Sequence, residues 1–240
     1  MRNVWQSILD LLFPPRCKGC GELLPSAKNL CGTCREKLHP VGENTCLFCG
    51  RDREYCSCDF GADLLFERAV SAWYYSDTGR ALLHRFKFRG DRAVFDEILG
   101  RRFLRRVKEA AADIPLDGIL FVPNHKSDKN RFAQTEYLAK ALSKELSVPV
   151  LEGALVKVRK TEPQHKQSLS GRRSNVKGAF SADSNILRGK NVLLVDDVAT
   201  TFSTLNECTA ALIAAGADRI ICATLLTTAA NSRTGGKHHE

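Results

Sequence analysis

The chain has 240 residues, 43% of them hydrophobic and 26% charged, which suits one full core plus an accessory module and excludes a mostly disordered protein. Its 36 Lys+Arg against 27 Asp+Glu give a formal net charge of +9. The most apolar run, residues 220–230, stops well short of the roughly 18 uncharged apolar residues that a membrane-spanning helix needs, so no integral membrane segment is expected.

At the N-terminus, Val4, Trp5, Ile8, Leu9, Leu12 and Phe13 recur on one helical face, and Pro14-Pro15 ends the run. Asp10 interrupts the apolar stretch and no small-residue cleavage site follows, so the spacing predicts an amphipathic helix packed on its own protein. A cytoplasmic location is expected.

Eight of the ten cysteines come next: Cys17, Cys20, Cys31, Cys34, Cys46, Cys49, Cys56 and Cys58. Dense cysteines without a secretion signal point to metal before disulfides. A Cys-x-x-Cys turn offers two thiolates to a tetrahedral ion and a second pair closes the site, so one or two structural zinc ions are expected. Cys17/Cys20 with Cys31/Cys34 form one regular quartet. Cys46/Cys49 with the tighter Cys56/Cys58 form a second, and exchange of knuckles between the two stays open. Closed four-thiolate sites leave no position for a catalytic water, so the metal folds the module. Residues 1–60 carry eight basic and seven acidic side chains, a balance that does not mark a nucleic-acid-binding finger. Cys208 and Cys222, far downstream in apolar segments, read as small buried hydrophobes.

Beyond residue 62 the pattern alternates. Strands are expected at Ala69–Tyr75, Gly118–Val122, Asn191–Val195 and Arg219–Leu226, with an extended stretch at Val148–Val156. Helices are expected at Thr78–Phe88, Ala93–Ala112 and Arg131–Leu146, and between Leu205 and Ala215. Near-continuous apolar strands between helices predict an α/β domain with a parallel sheet covered on both faces, its ligand at the carboxyl ends of the strands. The expected organisation is residues 1–62 as helix plus double zinc ribbon, 63–230 as the α/β domain and 231–240 as a polar tail.

One strand end carries the chemistry. Val192-Leu-Leu-Val runs into Asp196, Asp197, Val198, Ala199, Thr200, Thr201, Phe202, Ser203 and Thr204, and then into a helix. Hydroxyls at a helix N-terminus make a phosphate cradle. Two carboxylates there would repel phosphate, so they serve paired ribose hydroxyls or Mg²⁺, and together these features indicate a phosphorylated sugar.

This stretch resembles the phosphoribosyl pyrophosphate (PRPP) signature of type I phosphoribosyltransferases. With the eight cysteines, Leu83-His-Arg-Phe-Lys-Phe-Arg-Gly-Asp91, Arg131-Phe-Ala-Gln134 and Asn175-Val-Lys-Gly-Ala-Phe180, the chain resembles the ComF family of competence proteins over residues 4–226. The resemblance implies Asp196 and Asp197 on the ribose hydroxyls, residues 198–204 on the 5′-phosphate, Mg²⁺ with PRPP, and Asn124, His125, Lys126 and Arg131 near the pyrophosphate. It departs where Phe202 stands for a glycine, where Ala133 stands for an asparagine, and in a shorter Pro123–Gln134 segment. It also implies a role in natural transformation, handling single-stranded DNA, with a competence helicase and other DNA-uptake proteins as partners. Two rival functions follow from the same residues: a catalytically inactive PRPP-sensing or docking module, which Phe202 favours, and a salvage phosphoribosyltransferase acting on a nucleobase or amine.

Positive charge is concentrated in residues 79–108, and Arg85, Lys87, Arg89, Arg101, Arg102, Arg105 and Arg106 are candidates for a DNA-binding surface. Phe86, Phe88 and Phe103 interleave with them and read as core. A second basic stretch, residues 156–177, contains a polar loop.

Overall fold

The computed structural model describes residues 14–25, 28–56, 58, 64–123, 133–159 and 178–229. The expected N-terminal helix, the Asn124–Arg131 segment, most of the second basic stretch and the polar tail lie outside the described residues.

Four parallel strands form the central sheet: β1 (Arg68–Tyr74), β2 (Gly118–Phe121), β5 (Val192–Ala199) and β6 (Ile220–Thr227), in the order β1-β6-β5-β2. A short antiparallel pair, β3 (Leu155–Lys157) and β4 (Phe180–Ala182), stands beside it. The helices are α1 (Gly32–Glu36), α2 (Asp77–Arg89), α3 (Gly100–Ala110), α4 (Gln134–Leu146), α5 (Ser184–Leu187) and α6 (Ser203–Ala214). The expected α/β class holds: the sheet is parallel and covered on both faces, with a cysteine-rich module at its N-terminal side.

Strand alternation divides the core. Leu193, Val195, Ile221 and Ala223 face one layer with Leu82, Phe86, Phe103 and Leu138, whereas Val192, Leu194, Ile220 and Cys222 face the other with Leu205, Cys208 and Leu212. Cys208 and Cys222 are fully buried, as their apolar context predicts.

Three expectations need correction. The strand expected to stop at Val195 continues to Ala199, because β6 pairs with it as far as Ala199↔Thr227, so both acids stand in the sheet and not in a loop. The single long helix expected over Ala93–Ala112 runs on through Ala110 but is not α-helical throughout: it contains a π-helical turn at Phe95–Leu99, where the Trp73 indole donates to the Leu99 carbonyl (3.1 Å). Phe86 and Phe103 are core, but Phe88 is 52% exposed, off the buried stripe of α2, with its ring 4.7 Å from that of His84.

β1 is an edge strand, and the cysteine-rich module covers that edge. Val41 N–H donates to Ala72 O (3.1 Å), Tyr74 N–H to His39 O (2.8 Å) and Ala69 N–H to Phe48 O (2.8 Å). Arg102 and Arg106 of α3 complete the seam. Arg102 donates to the carbonyls of Ala72 and Val41, and Arg106 to Ser71 O (3.0 Å) and Gly42 O (2.7 Å). These two candidates for DNA contact are therefore turned inwards: Arg106 is buried, and the phase of α3 sets it beside Phe103 and Val107. Arg106→Ala is expected to lower unfolding free energy by about 3 kcal/mol, because it strands buried carbonyls. Exposed Arg105→Ala is expected to change it by no more than about 0.5 kcal/mol, and urea denaturation of both variants is the check.

Candidate functional site

The eight cysteines form two separate quartets. In each, Cys17/Cys20/Cys31/Cys34 and Cys46/Cys49/Cys56/Cys58, the four Sγ atoms lie within 4.8 Å of one another. A zinc tetrahedron with thiolate bonds near 2.3 Å has edges of about 3.8 Å, and the Cys20–Cys31 separation is 3.8 Å. The residues fit structural zinc, and the knuckles are not exchanged between sites. Backbone donors prepare the thiols: Cys31 N–H points at Cys17 Sγ (3.3 Å) and Cys34 N–H at Cys31 Sγ (3.4 Å). Burial opposes ionisation of Cys17, but N–H donors from Cys20, Cys31 and Gly19 outweigh it and bring the thiol down to about 6. Burial likewise opposes ionisation of Cys46, and N–H groups of Cys49 and Phe48 bring it down to about 7.

The second site lies at the end of β5. Successive side chains of a strand point to opposite faces, so Asp196 and Asp197 meet different neighbours although their carboxyls still interact. Asp196 turns to the α6 face, where burial first and the charge of Asp197 second push its carboxyl well above the ordinary carboxylate range. Its Oδ1 accepts from the Asp197 N–H at 2.8 Å. Asp197 turns to the opposite face, where Lys87 Nζ of α2 (2.8 Å) and Gln134 Nε2 of α4 (3.0 Å) both donate to its Oδ2. Lys87, a candidate for the DNA surface, is thus drawn to the acid pair. Gln134 is a site residue that sequence reasoning does not reach, although its place in the Arg131–Gln134 motif, at the first turn of α4, is a signal that could have found it.

Past Ala199 the chain turns at Thr200, Thr201 and Phe202 into α6. Thr201 and Ser203 share a hydroxyl hydrogen bond of 2.8 Å, and the first-turn N–H groups of α6 open towards the turn. Phe202 has φ 59° and ψ 4°, the left-handed conformation that the glycine expected there would adopt without strain. Its side chain is buried, with the Phe66 ring at 5.7 Å and the Arg51 guanidinium at 4.8 Å. The phenylalanine therefore keeps the glycine-like backbone. Val198 is half-buried and Thr200, Thr201 and Thr204 are partly accessible, so residues 198–204 form a shallow rim beside the acids. Asn124, His125, Lys126 and Arg131 lie outside the described residues.

Of the seven candidate cations for DNA, Arg89 and Arg101 are exposed, Arg105 is exposed but pairs with Glu43 at 3.6 Å, Arg85 pairs with Asp91 at 3.5 Å, the partly exposed Lys87 is held by Asp197, and Arg102 and Arg106 donate to backbone carbonyls of the seam. Among the described residues no helix is long and apolar enough to cross a membrane.

Comparison with known proteins agrees with this architecture. Residues 135–239 match the phosphoribosyl transferase domain family and residues 8–60 the double zinc ribbon domain family. Competence protein F of Haemophilus influenzae is 30% identical over 220 residues, which cover 87% of this chain and 95% of that protein. Competence protein ComFC of Bacillus subtilis is 26% identical over 209 residues, covering 81% of this chain and 82% of that one. DNA utilization protein YhgH of Escherichia coli O157:H7 is 31% identical over 169 residues, covering 67% and 74% respectively. With the two cysteine quartets, the parallel sheet and the acid-hydroxyl strand end in this order, the chain belongs to the ComF family.

Proposed function

We propose that this protein binds PRPP with Mg²⁺ at the β5–α6 junction and serves natural transformation, in the uptake and cytoplasmic handling of single-stranded DNA. The observation that carries the reading is a pair of adjacent, nearly buried acids at the end of β5, one of them held by a lysine and a glutamine, directly before a hydroxyl turn at a helix N-terminus.

Asp197 faces the ribose hydroxyls, with Lys87 and Gln134 fixing its orientation. Asp196 supports it through the 2.8 Å bond from the Asp197 N–H. Residues 198–204 receive the 5′-phosphate through hydroxyls and helix N–H groups. When bound with PRPP, Mg²⁺ supplies charge neutralisation at the departing pyrophosphate. Lys126 and Arg131 add cations for the same group. The protein's contribution to any transfer is positioning and charge, with no nucleophile required.

The DNA-related role rests on family membership and on relatives described as competence and DNA utilization proteins. Among the described candidates, exposed Arg89 and Arg101 are the cations offered to a single strand, and the competence helicase and other uptake proteins are the protein partners. A second reading, binding without turnover, draws on Phe202, whose bulk fixes a turn that glycine leaves adjustable. Calorimetric titration of the zinc-loaded protein with PRPP and Mg²⁺ tests the site, and absence of saturable heat would sink it. Incubation with nucleobases and amines then separates enzyme from sensor by release of pyrophosphate.

A further inference from the structure

Arg51 is a buried guanidinium from the cysteine-rich module whose sequence position, two residues after Cys49, gives no hint of the β5–α6 junction. Its Nη2 donates to the Thr200 carbonyl at 2.6 Å, across 149 residues of chain. Its Nε donates to Thr227 Oγ1 at 3.2 Å, and that hydroxyl donates onward to the Ala199 carbonyl at 3.2 Å. Its carbon centre lies 4.8 Å from the centroid of the Phe202 ring. One side chain therefore holds the backbone leading into the turn and the ring of the residue that makes it.

Such a grip has a reason. Phe202 at φ 59° occupies a backbone region that a bulky side chain adopts only when its surroundings impose it. Arg51 and Phe66 are those surroundings, one through charge and hydrogen bonds, the other through ring packing. The base of Arg51 is fixed in turn by the second quartet. Cys46 N–H donates to the Arg51 carbonyl (2.8 Å), Gly50 N–H donates to the Cys46 carbonyl (3.0 Å), and Ala69 N–H of β1 holds the Phe48 carbonyl (2.8 Å). Gly50, at φ 67°, lies so close to the Ala69 backbone that a Cβ would collide with the Ala69 carbonyl. The knuckle backbone is pinned between metal ligands and sheet.

We infer that Arg51 is a positioning residue through which the Cys46–Cys58 metal site holds the Thr200–Phe202 turn in its anion-binding shape, so that loading of this one site controls PRPP affinity. The inference rests on the PRPP reading for its ligand, while its mechanical part concerns the turn alone. A guanidinium that merely stabilised the module would leave the turn and its affinity unchanged when replaced. Here the second quartet is coupled to the turn and the first is not, because among the described residues the first quartet and its neighbours contact α2 and the 91–97 segment, for example Lys18 to Asp91 at 2.8 Å.

The test uses the full-length, zinc-loaded chain. Amide hydrogen exchange over residues 199–206 is measured without ligand, and PRPP–Mg²⁺ affinity by calorimetry, for wild type, Arg51→Gln, Arg51→Lys, Cys46→Ser and Cys20→Ser. Arg51→Gln and Cys46→Ser are expected to speed exchange in the turn by about tenfold or more and to weaken PRPP at least about tenfold. Arg51→Lys, which keeps charge but loses the fork, is expected to fall between. Cys20→Ser, at the first quartet, is expected to leave exchange in the turn within about twofold of wild type.

A general disturbance of folding by Arg51→Gln is separated from loss of the grip by an internal control, Phe202→Gly. Glycine needs no support at positive φ, so in that background Arg51→Gln loses only the Thr200 and Thr227 bonds and is expected to speed exchange clearly less than it does with Phe202 in place. The inference is overturned by an Arg51→Gln turn that exchanges as slowly as wild type, by equal effects of Arg51→Gln with and without Phe202→Gly, or by equal effects of the two cysteine variants. If wild type binds no PRPP, the ligand reading fails, and the exchange data still decide the coupling.

Discussion

Asp197→Asn is expected to abolish measurable PRPP–Mg²⁺ binding, a loss of about 100-fold or more, while leaving the fold intact. The side chain is 11% exposed and receives Lys87 at 2.8 Å and Gln134 at 3.0 Å on the same oxygen. An asparagine carbonyl can accept both donors, so the packing survives. What disappears is the negative charge that meets a ribose diol or a metal-bound pyrophosphate. Asp196→Asn is the informative companion. Burial and the neighbouring charge raise the folded-state pKa of Asp196, so the native state favours the protonated acid. Its ionisation on unfolding therefore makes stability decline as pH rises from the unfolded value towards the folded one. Asparagine removes that dependence, and Asp196→Asn is expected to raise Tm at pH 8 and to raise it less at pH 5. Calorimetric scans at the two pH values, with PRPP titrations of both variants, check the pair. Destabilisation by Asp196→Asn at pH 8 would contradict the assignment of Asp196 as a buried, neutral-favouring acid.

Removing the metal is expected to have the largest effect on stability. The described part of the cysteine-rich module buries few large side chains beyond Leu24, Leu30, Leu38 and Val41, and its one α-helix, α1, has 5 residues. So small a core cannot offset chain entropy, whereas a structural zinc site contributes about 10–16 kcal/mol. Chelation also strips cover from the β1 edge, where residues 39, 41 and 48 hold backbone groups of the sheet. The expected outcome is two zinc ions per chain by elemental analysis, and a fall in Tm of more than about 15 °C with a strong chelator. A chain that holds one ion, or that melts unchanged after chelation, contradicts two structural sites.

Much of this was readable in the amino-acid order because the signals were local. Cys-x-x-Cys spacing marks a quartet through turn geometry, apolar runs between helices mark parallel strands, and a strand ending in two acids and hydroxyls marks the site. The unreadable parts depend on residues far apart in the chain. Lys87 and Asp197 are separated by 110 residues and Arg51 and Thr200 by 149, and no local pattern joins either pair. The inward turn of Arg102 and Arg106 was half legible, since Phe95, Leu99, Phe103 and Val107 repeat every four residues and set the buried stripe beside them. What the stripe does not disclose is that β1 offers carbonyls at that place. The extra length of β5 belongs to the same class, because it depends on pairing with β6.

The inward commitment of Lys87, Arg102 and Arg106 also sets the ionic-strength response of any single strand docked on this face. Seven cations releasing seven condensed counterions would give a slope of log K against log salt of about −5, whereas exposed Arg89 and Arg101 alone give about −1.4. The complex would then persist at salt concentrations that dissociate a fully electrostatic binder.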